Sequence, residues 1–104
     1  MRIGEYLKLH EVLCAEAREL SQKKGHDYSG EEDTLRNLKA TGAHGVVTNE
    51  QGVLVRMDDK MSRLWQLTKP GNVALVSDER IKDTILDGIN YLCLLWALME
   101  DDNA

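Results

Sequence analysis

Residues 77–100 read SDERIKDTILDGINYLCLLWALME, and this stretch decides the fold. Ser77 stands as an N-cap, with Asp78 and Glu79 in the first turn, where the helix dipole favours acids. A helix from there to about Glu100 is roughly 34 Å long at 1.5 Å per residue. Its two halves differ. The first is amphipathic, with Ile81, Ile85 and Ile89 on one side, whereas Tyr91 to Met99 is apolar all round. A helix in a lone bundle of this size keeps solvent on one side, so an apolar surface on every face asks for partners on every face. Further copies of the chain are the simplest partners, which predicts a homo-oligomer held through the C-terminal helix. The alternative is a central helix fully covered within one chain. Asp101 to Ala104 read as a polar, frayed end.

Working outward, Leu54, Met57, Met61, Leu64 and Trp65 repeat at helical spacing and form one face. That helix ends near Lys69, because Pro70-Gly71 cannot extend it. Its start reads two ways. Val46-Val47 and Val53 to Val55 about Asn49-Glu50-Gln51-Gly52 suit a hairpin. Thr48 and Gln51 also have the spacing of a capping box, and the helix is preferred because the residues beyond continue it. Nearer the N-terminus, Tyr6, Leu9, Leu13, Ala17 and Leu20 share a stripe from Gly4 to about Lys24. Gly25 is expected to stop this helix, with Lys23 and Lys24 at its C-terminal dipole. A turn at His26 to Gly30, a short helix from about Glu31 to Ala40 with Leu35 and Leu38 inward, and breaks at Gly42 and Gly45 complete the reading. Asn72 to Val76 reads as a linker.

The chain of 104 residues thus reads as one domain: an all-α, compact bundle of three to four helices. Phe is absent, so the core is expected to use Leu, Val, Ile, Met and the two Trp. A net charge of −5 argues against binding DNA or RNA duplexes, which needs a basic surface to release counterions. It leaves room for a small anion beside a local Lys/Arg cluster. Cys14 and Cys93 lack ligand spacing and read as buried free thiols. The longest apolar run is about half of a membrane span, and no leader peptide is read, so a cytoplasmic protein is expected.

Glu79, Asp83, Asp87 and Asn90 follow one another at spacings of four, four and three on one helix flank. Such an oxygen-only array suits Mg²⁺ or Mn²⁺, and it equally suits a solvated polar face. Asp87 differs from its neighbours, lying at the edge of the apolar surface beside Tyr91, Leu94 and Leu98, where a carboxylate needs a partner. On the preceding helix, Asp59, Lys60 and Arg63 fall away from the Leu54/Met61/Trp65 stripe, and Asp58 falls close to it. They read as a metal-and-phosphate site or as ordinary surface ion pairs. Glu16 lies within the apolar arc of the first helix, as a further ligand or as the partner of a buried cation. His10 borders that arc and reads as a core residue.

Three pieces in order carry a resemblance: Lys24-Gly-His-Asp27-Tyr28, Arg56-Met-Asp-Asp59-Lys60-Met-Ser-Arg63-Leu64, and Asp78-Glu79-Arg-Ile-Lys-Asp83-Thr-Ile-Leu-Asp87-Gly-Ile-Asn90-Tyr91. Over about residues 20 to 98 the chain resembles small phage-encoded nucleotide-modification-associated proteins. These are similar in turn to the MazG-like all-α nucleoside triphosphate pyrophosphohydrolases. The resemblance implies an oligomeric helical bundle in which acids of facing helices bind Mg²⁺ against a nucleotide's phosphates. It puts Asp59, Glu79, Asp83 and Asp87 at the metal, Lys24, Lys60 and Arg63 at phosphate, and Tyr28 and Asn90 at the base or sugar. A phage protein of this kind would work in the host cytoplasm.

The chain departs from the MazG-like pattern in two places. The Glu-Glu-x-x-Glu motif becomes Asp58-Asp59-x-x-Ser62, and Thr84 stands where the later Glu-x-x-Asp motif, aligned on Asp87, has Glu. The expectation is therefore a Mg-dependent pyrophosphohydrolase-like protein. Its alternative is a non-catalytic binder, a sponge holding a nucleotide or cyclic-nucleotide defence signal in a pocket between subunits. A small protein that contacts a host partner is a third reading.

Overall fold

The structure is a computed structural model and describes residues 1–29, 35, 39, 42–71 and 79–102, for residues 25–29 the backbone alone. It is an all-helical bundle of three helices, α1 (Ile3–Ser29), α2 (Asn49–Leu67) and α3 (Glu79–Asp102), with no strand among the described residues. The expected Ser77 cap, the 72–76 linker and most of the short helix at 31–40 lie outside the described residues. Within that last stretch, Lys39 N–H donates to the Leu35 carbonyl at 2.9 Å, one helical turn.

Of the two readings for residues 46–55, the structure has the helix. Thr48 is extended, with φ −70° and ψ 165°, and its Oγ1 accepts from Gln51 N–H at 3.1 Å. Gln51 Oε1 returns the bond, accepting from Thr48 N–H at 3.2 Å. Two backbone donors at the start of α2 are thereby satisfied without water. Just upstream, Gly45 has φ +76°, a left-handed conformation that releases the chain from the turn at residues 42–45. At the far end, Thr68 N–H still reaches the Leu64 carbonyl, and the turn through Pro70 to Gly71 (φ +84°) follows.

Helix α1 does not stop at Gly25. It runs on to Ser29, and the predicted turn at residues 26–29 is helical. A helix-interior glycine costs about 1 kcal/mol relative to Ala, which weakens a helix without ending one. A glycine stop needs a positive φ, which among the described residues occurs only at Gly45 and Gly71. Helix α3 likewise extends through Asp101, which pairs with Lys39 instead of fraying.

Helix α3 is the shared element. Both α1 and α2 are laid on it, and among the described residues they are not packed on each other. The α2–α3 pair is antiparallel: Glu50 of the first turn of α2 meets Asp102 of the last turn of α3, and Val53 shares a core cluster with Leu98 and Leu35. The Asp102 hydrogen bond pushes the Glu50 carboxyl above its usual range. Helix α1 crosses the first half of α3, where Asn90 Nδ2 donates to the Ala17 carbonyl at 2.9 Å.

The buried side of α2 carries Val53, Met57, Lys60, Leu64 and Leu67 at alternating spacings of four and three. The sequence reading put Leu54, Met57, Met61, Leu64 and Trp65 on one face; Met57 and Leu64 are half-buried, whereas Leu54, Met61 and Trp65 are exposed. The helix has two apolar stripes about one residue apart in register, so period alone could not select between them. Trp65 is 70% exposed and Trp96 65%, so neither tryptophan builds the core of the chain. Cys14, Cys93 and His10 are also exposed, contrary to expectation, because no described helix covers the outer sides of α1 and α3.

Leu98 is fully buried at the centre of the cluster, where Tyr91, Leu94, Leu95 and Ala97 pack about it. Leu98→Ala should lower the urea-unfolding free energy by about 3 kcal/mol, the cost of lost transfer energy plus a cavity. Val46→Ala, at an exposed position, should stay within about 0.5 kcal/mol of wild type. Equal effects from the two would refute this placement of the core.

Candidate functional site

The site grows from one carboxylate on a buried face. On α3, Thr84, Asp87, Tyr91, Leu94 and Leu98 recur at spacings of three and four, so Asp87 belongs to the same row as the core residues. Its side chain is only 19% exposed. A lone carboxylate there would ionise at high cost. Two ammonium groups remove that cost. Lys24 Nζ, from α1, donates to Asp87 Oδ1 at 2.9 Å. Lys60 Nζ, from the buried row of α2, lies 3.2 Å from Oδ2. Burial pushes the Asp87 carboxyl up, and the hydrogen bonds and charges of Lys24 and Lys60 outweigh it, so the group sits below its ordinary value and is ionised at neutral pH.

All three helices therefore meet at one ionic centre, formed among the described residues by Lys24, Lys60 and Asp87. Lys60 is 28% exposed and Lys24 51%, so both ammonium groups reach the rim while their stems cross apolar surface. The Lys60 ammonium has three donors, which leaves room for a further acceptor at the rim.

The other expected site residues are dispersed. Asp59 and Arg63 of α2, and Glu79 and Asp83 of α3, are exposed and make no ion pair among the described residues. Asn90 commits its amide donor to Ala17, holding α1 against α3. Tyr28 lies on the backbone of α1, its side chain outside the described residues. Glu16 pairs with Lys82 at 2.8 Å, a half-exposed lysine and not the buried cation that the sequence reading offered. Thr84, at the position where the MazG-like motif has Glu, is buried and donates to the Arg80 carbonyl at 2.6 Å within its own helix.

Among the described residues no group of three or more His, Cys, Asp or Glu side chains gathers to hold a metal ion. Asp87 already has an ammonium on each oxygen, so a divalent ion there would have to displace both lysines. The donor set of the described residues does not fit Mg²⁺ or Mn²⁺, which want carboxylate oxygens open to the ion. A second feature is a recess of about 900 Å³ between α1 and the start of α3, with Leu9, Val12, Leu13, Ile81 and Ile85 on its walls and the Glu16–Lys82 pair at its rim. Sequence reasoning singled out Asp87 as a carboxylate in need of a partner and missed both partners, along with this recess.

No helix among the described residues is long and apolar enough to cross a membrane. The chain matches no protein-family model, no curated protein and no solved structure.

Asp87→Asn would leave two partly buried ammonium groups facing a neutral amide, and should cost about 2 kcal/mol at neutral pH. Because the folded carboxyl is held below its ordinary value, its contribution is complete above about pH 4 and is lost as pH falls through the lowered value. The margin of wild type over Asp87→Asn in urea unfolding should therefore shrink on acidification. A margin that is absent at pH 7, or that grows towards pH 3, would contradict the triad.

Proposed function

We propose that the protein binds a small phosphate-bearing ligand, a nucleotide or cyclic nucleotide, and holds it without cleaving it, as a homo-oligomer. One observation carries this reading. Among the described residues, Asp87 is the carboxylate drawn towards the centre of the bundle, and Lys24 and Lys60 both bear on it, which sets two ammonium groups side by side in a chain of net charge −5. Asp87 holds the two ammonium groups side by side before any ligand arrives, so the ordering cost of a phosphate contact is already met. Charge-assisted bonds from lysine to phosphate oxygen are short and about twice as strong as neutral ones. Arg63, one turn beyond Lys60 on α2, is exposed and lies within side-chain reach of the same rim.

Capture is favoured over cleavage because phosphoryl transfer needs charge placed on the attacking and leaving oxygens, usually by metal ions in a carboxylate frame. Ser62 and Thr84 stand where that frame would have acids, and among the described residues Asp59 is not gathered with Asp87, which supports capture. The pyrophosphohydrolase reading keeps one support, the exposed Glu79–Asp83 step one turn before Asp87.

The test incubates the protein with Mg²⁺ and a panel of nucleoside triphosphates and linear and cyclic nucleotides, then chromatographs what heat denaturation releases. At least one ligand should be recovered intact with no pyrophosphate formed. Its affinity should fall about tenfold or more in Lys60→Ala and Lys24→Ala, a loss of about 1.4 kcal/mol or more. Pyrophosphate release that disappears with EDTA would establish the enzyme instead. If no nucleotide is cleaved or retained, both readings fall.

A further inference from the structure

The row of α2 that lies bare in the chain is Leu54, Met61 and Trp65, and that of α3 is Ile85, Leu92 and Trp96. At 100° per residue each bare row is turned from the side facing the other helix, by roughly 100° on α2 and roughly 140° on α3, in the direction of increasing residue number. Because the two helices are antiparallel, rotations of the same sense in sequence bring both rows to the same side of the pair. The two rows thus form one apolar face on the α2–α3 hairpin, with a tryptophan on each helix. Ile85 also lines the recess against α1, so the face continues into that hollow.

We infer that this two-helix face is the surface on which a second copy of the chain docks, with Trp65 and Trp96 as its anchors. The inference rests on the homo-oligomer reading above and names its surface. The occupant follows from area. The chain exposes 8043 Å², against about 5,900 Å² for a compact monomer of 11.8 kDa. That excess exceeds the roughly 800 Å² that each partner hides in a stable interface of standard size. The chain is correspondingly extended, with a radius of gyration of 15.7 Å where about 13 Å is usual for its length. Both bare rows recur at spacings of seven and four, the heptad register by which helices of two chains interlock. A two-fold axis through this face makes it self-complementary, α2–α3 of one copy against α2–α3 of the other, as a closed dimer requires. Buried tryptophans dominate such interfaces. The C-terminal helix then contributes its outer row, whereas Leu94 and Leu98 belong to the fold of the single chain.

Both tryptophans of the chain lie on this face, so their fluorescence reports on it directly. Sedimentation of the wild type at micromolar concentration should give at least twice 11.8 kDa, with blue-shifted emission shielded from iodide. Trp65→Glu and Trp96→Glu should each sediment as a monomer of unchanged helical content. The remaining tryptophan in each should emit further to the red and be quenched by iodide. Val46→Glu, exposed and off this face, should stay assembled. A monomeric wild type would overturn the homo-oligomer reading and this inference with it, and iodide-accessible tryptophans in that monomer would leave the face to a different protein. An assembly that survives both tryptophan variants with unchanged emission would keep the oligomer and overturn this surface. A variant that loses its helical content would overturn the placement of its tryptophan outside the fold.

Discussion

The meeting of Lys24, Asp87 and Lys60 is the constraint on which the described architecture depends. Among the described residues helix α1 and helix α2 are not packed on each other, so α3 fixes their relation, and a lysine from each ends on the same carboxylate. A charge in that row is costly alone and affordable only when both lysines arrive. The apolar contacts about Leu98 tolerate small slips along the helix axes. A carboxylate shared between two ammonium groups does not, because a shift of one residue in either partner would strand a charge. The centre therefore sets the register of both neighbours against α3.

The division of apolar surface follows from the same frame. Aligning Lys60 with Asp87 turns Val53, Met57, Leu64 and Leu67 towards α3 and leaves Leu54, Met61 and Trp65 outside. The ionic centre thus decides which of two apolar rows on α2 is spent inside the chain and which is left exposed. On the proposed reading, function and assembly would be coupled at this level: a ligand that draws the lysines towards the rim would pull on the contact that orients the proposed docking face.

Local chemistry was legible in the sequence wherever it acts over a few residues. Thr48 and Gln51 announced the start of α2 because a capping box needs only its own four residues, and Pro70-Gly71 announced the end because proline lacks a donor. The acidic first turn and long apolar run of α3 likewise predicted its length to within two residues. Gly25 misled because glycine weakens helices and ends them only where the chain also turns left-handed. The choice of inward row on α2, the exposure of both tryptophans and the outward cysteines were illegible, since each depends on where a distant helix lies. The site divides in the same way. Asp87 was conspicuous as an acid on an apolar edge, whereas its partner Lys24 lies 63 residues away and carries no local mark.

That separation also orders the assembly of the chain in time. Lys60 and Asp87 close a loop of 27 residues, and α2 brings its own cap, so the α2–α3 hairpin can form early from contacts near in sequence. The contacts of α1 with α3 span 63 residues at Lys24–Asp87 and 73 at Ala17–Asn90. Loop closure alone makes the longer of the two ionic contacts dearer by about 0.7 kcal/mol. More important, among the described helices α1 is packed on α3 and not on α2. It is the arm that docks last and lifts first, so its amides should exchange with solvent through a partial opening that leaves the hairpin intact.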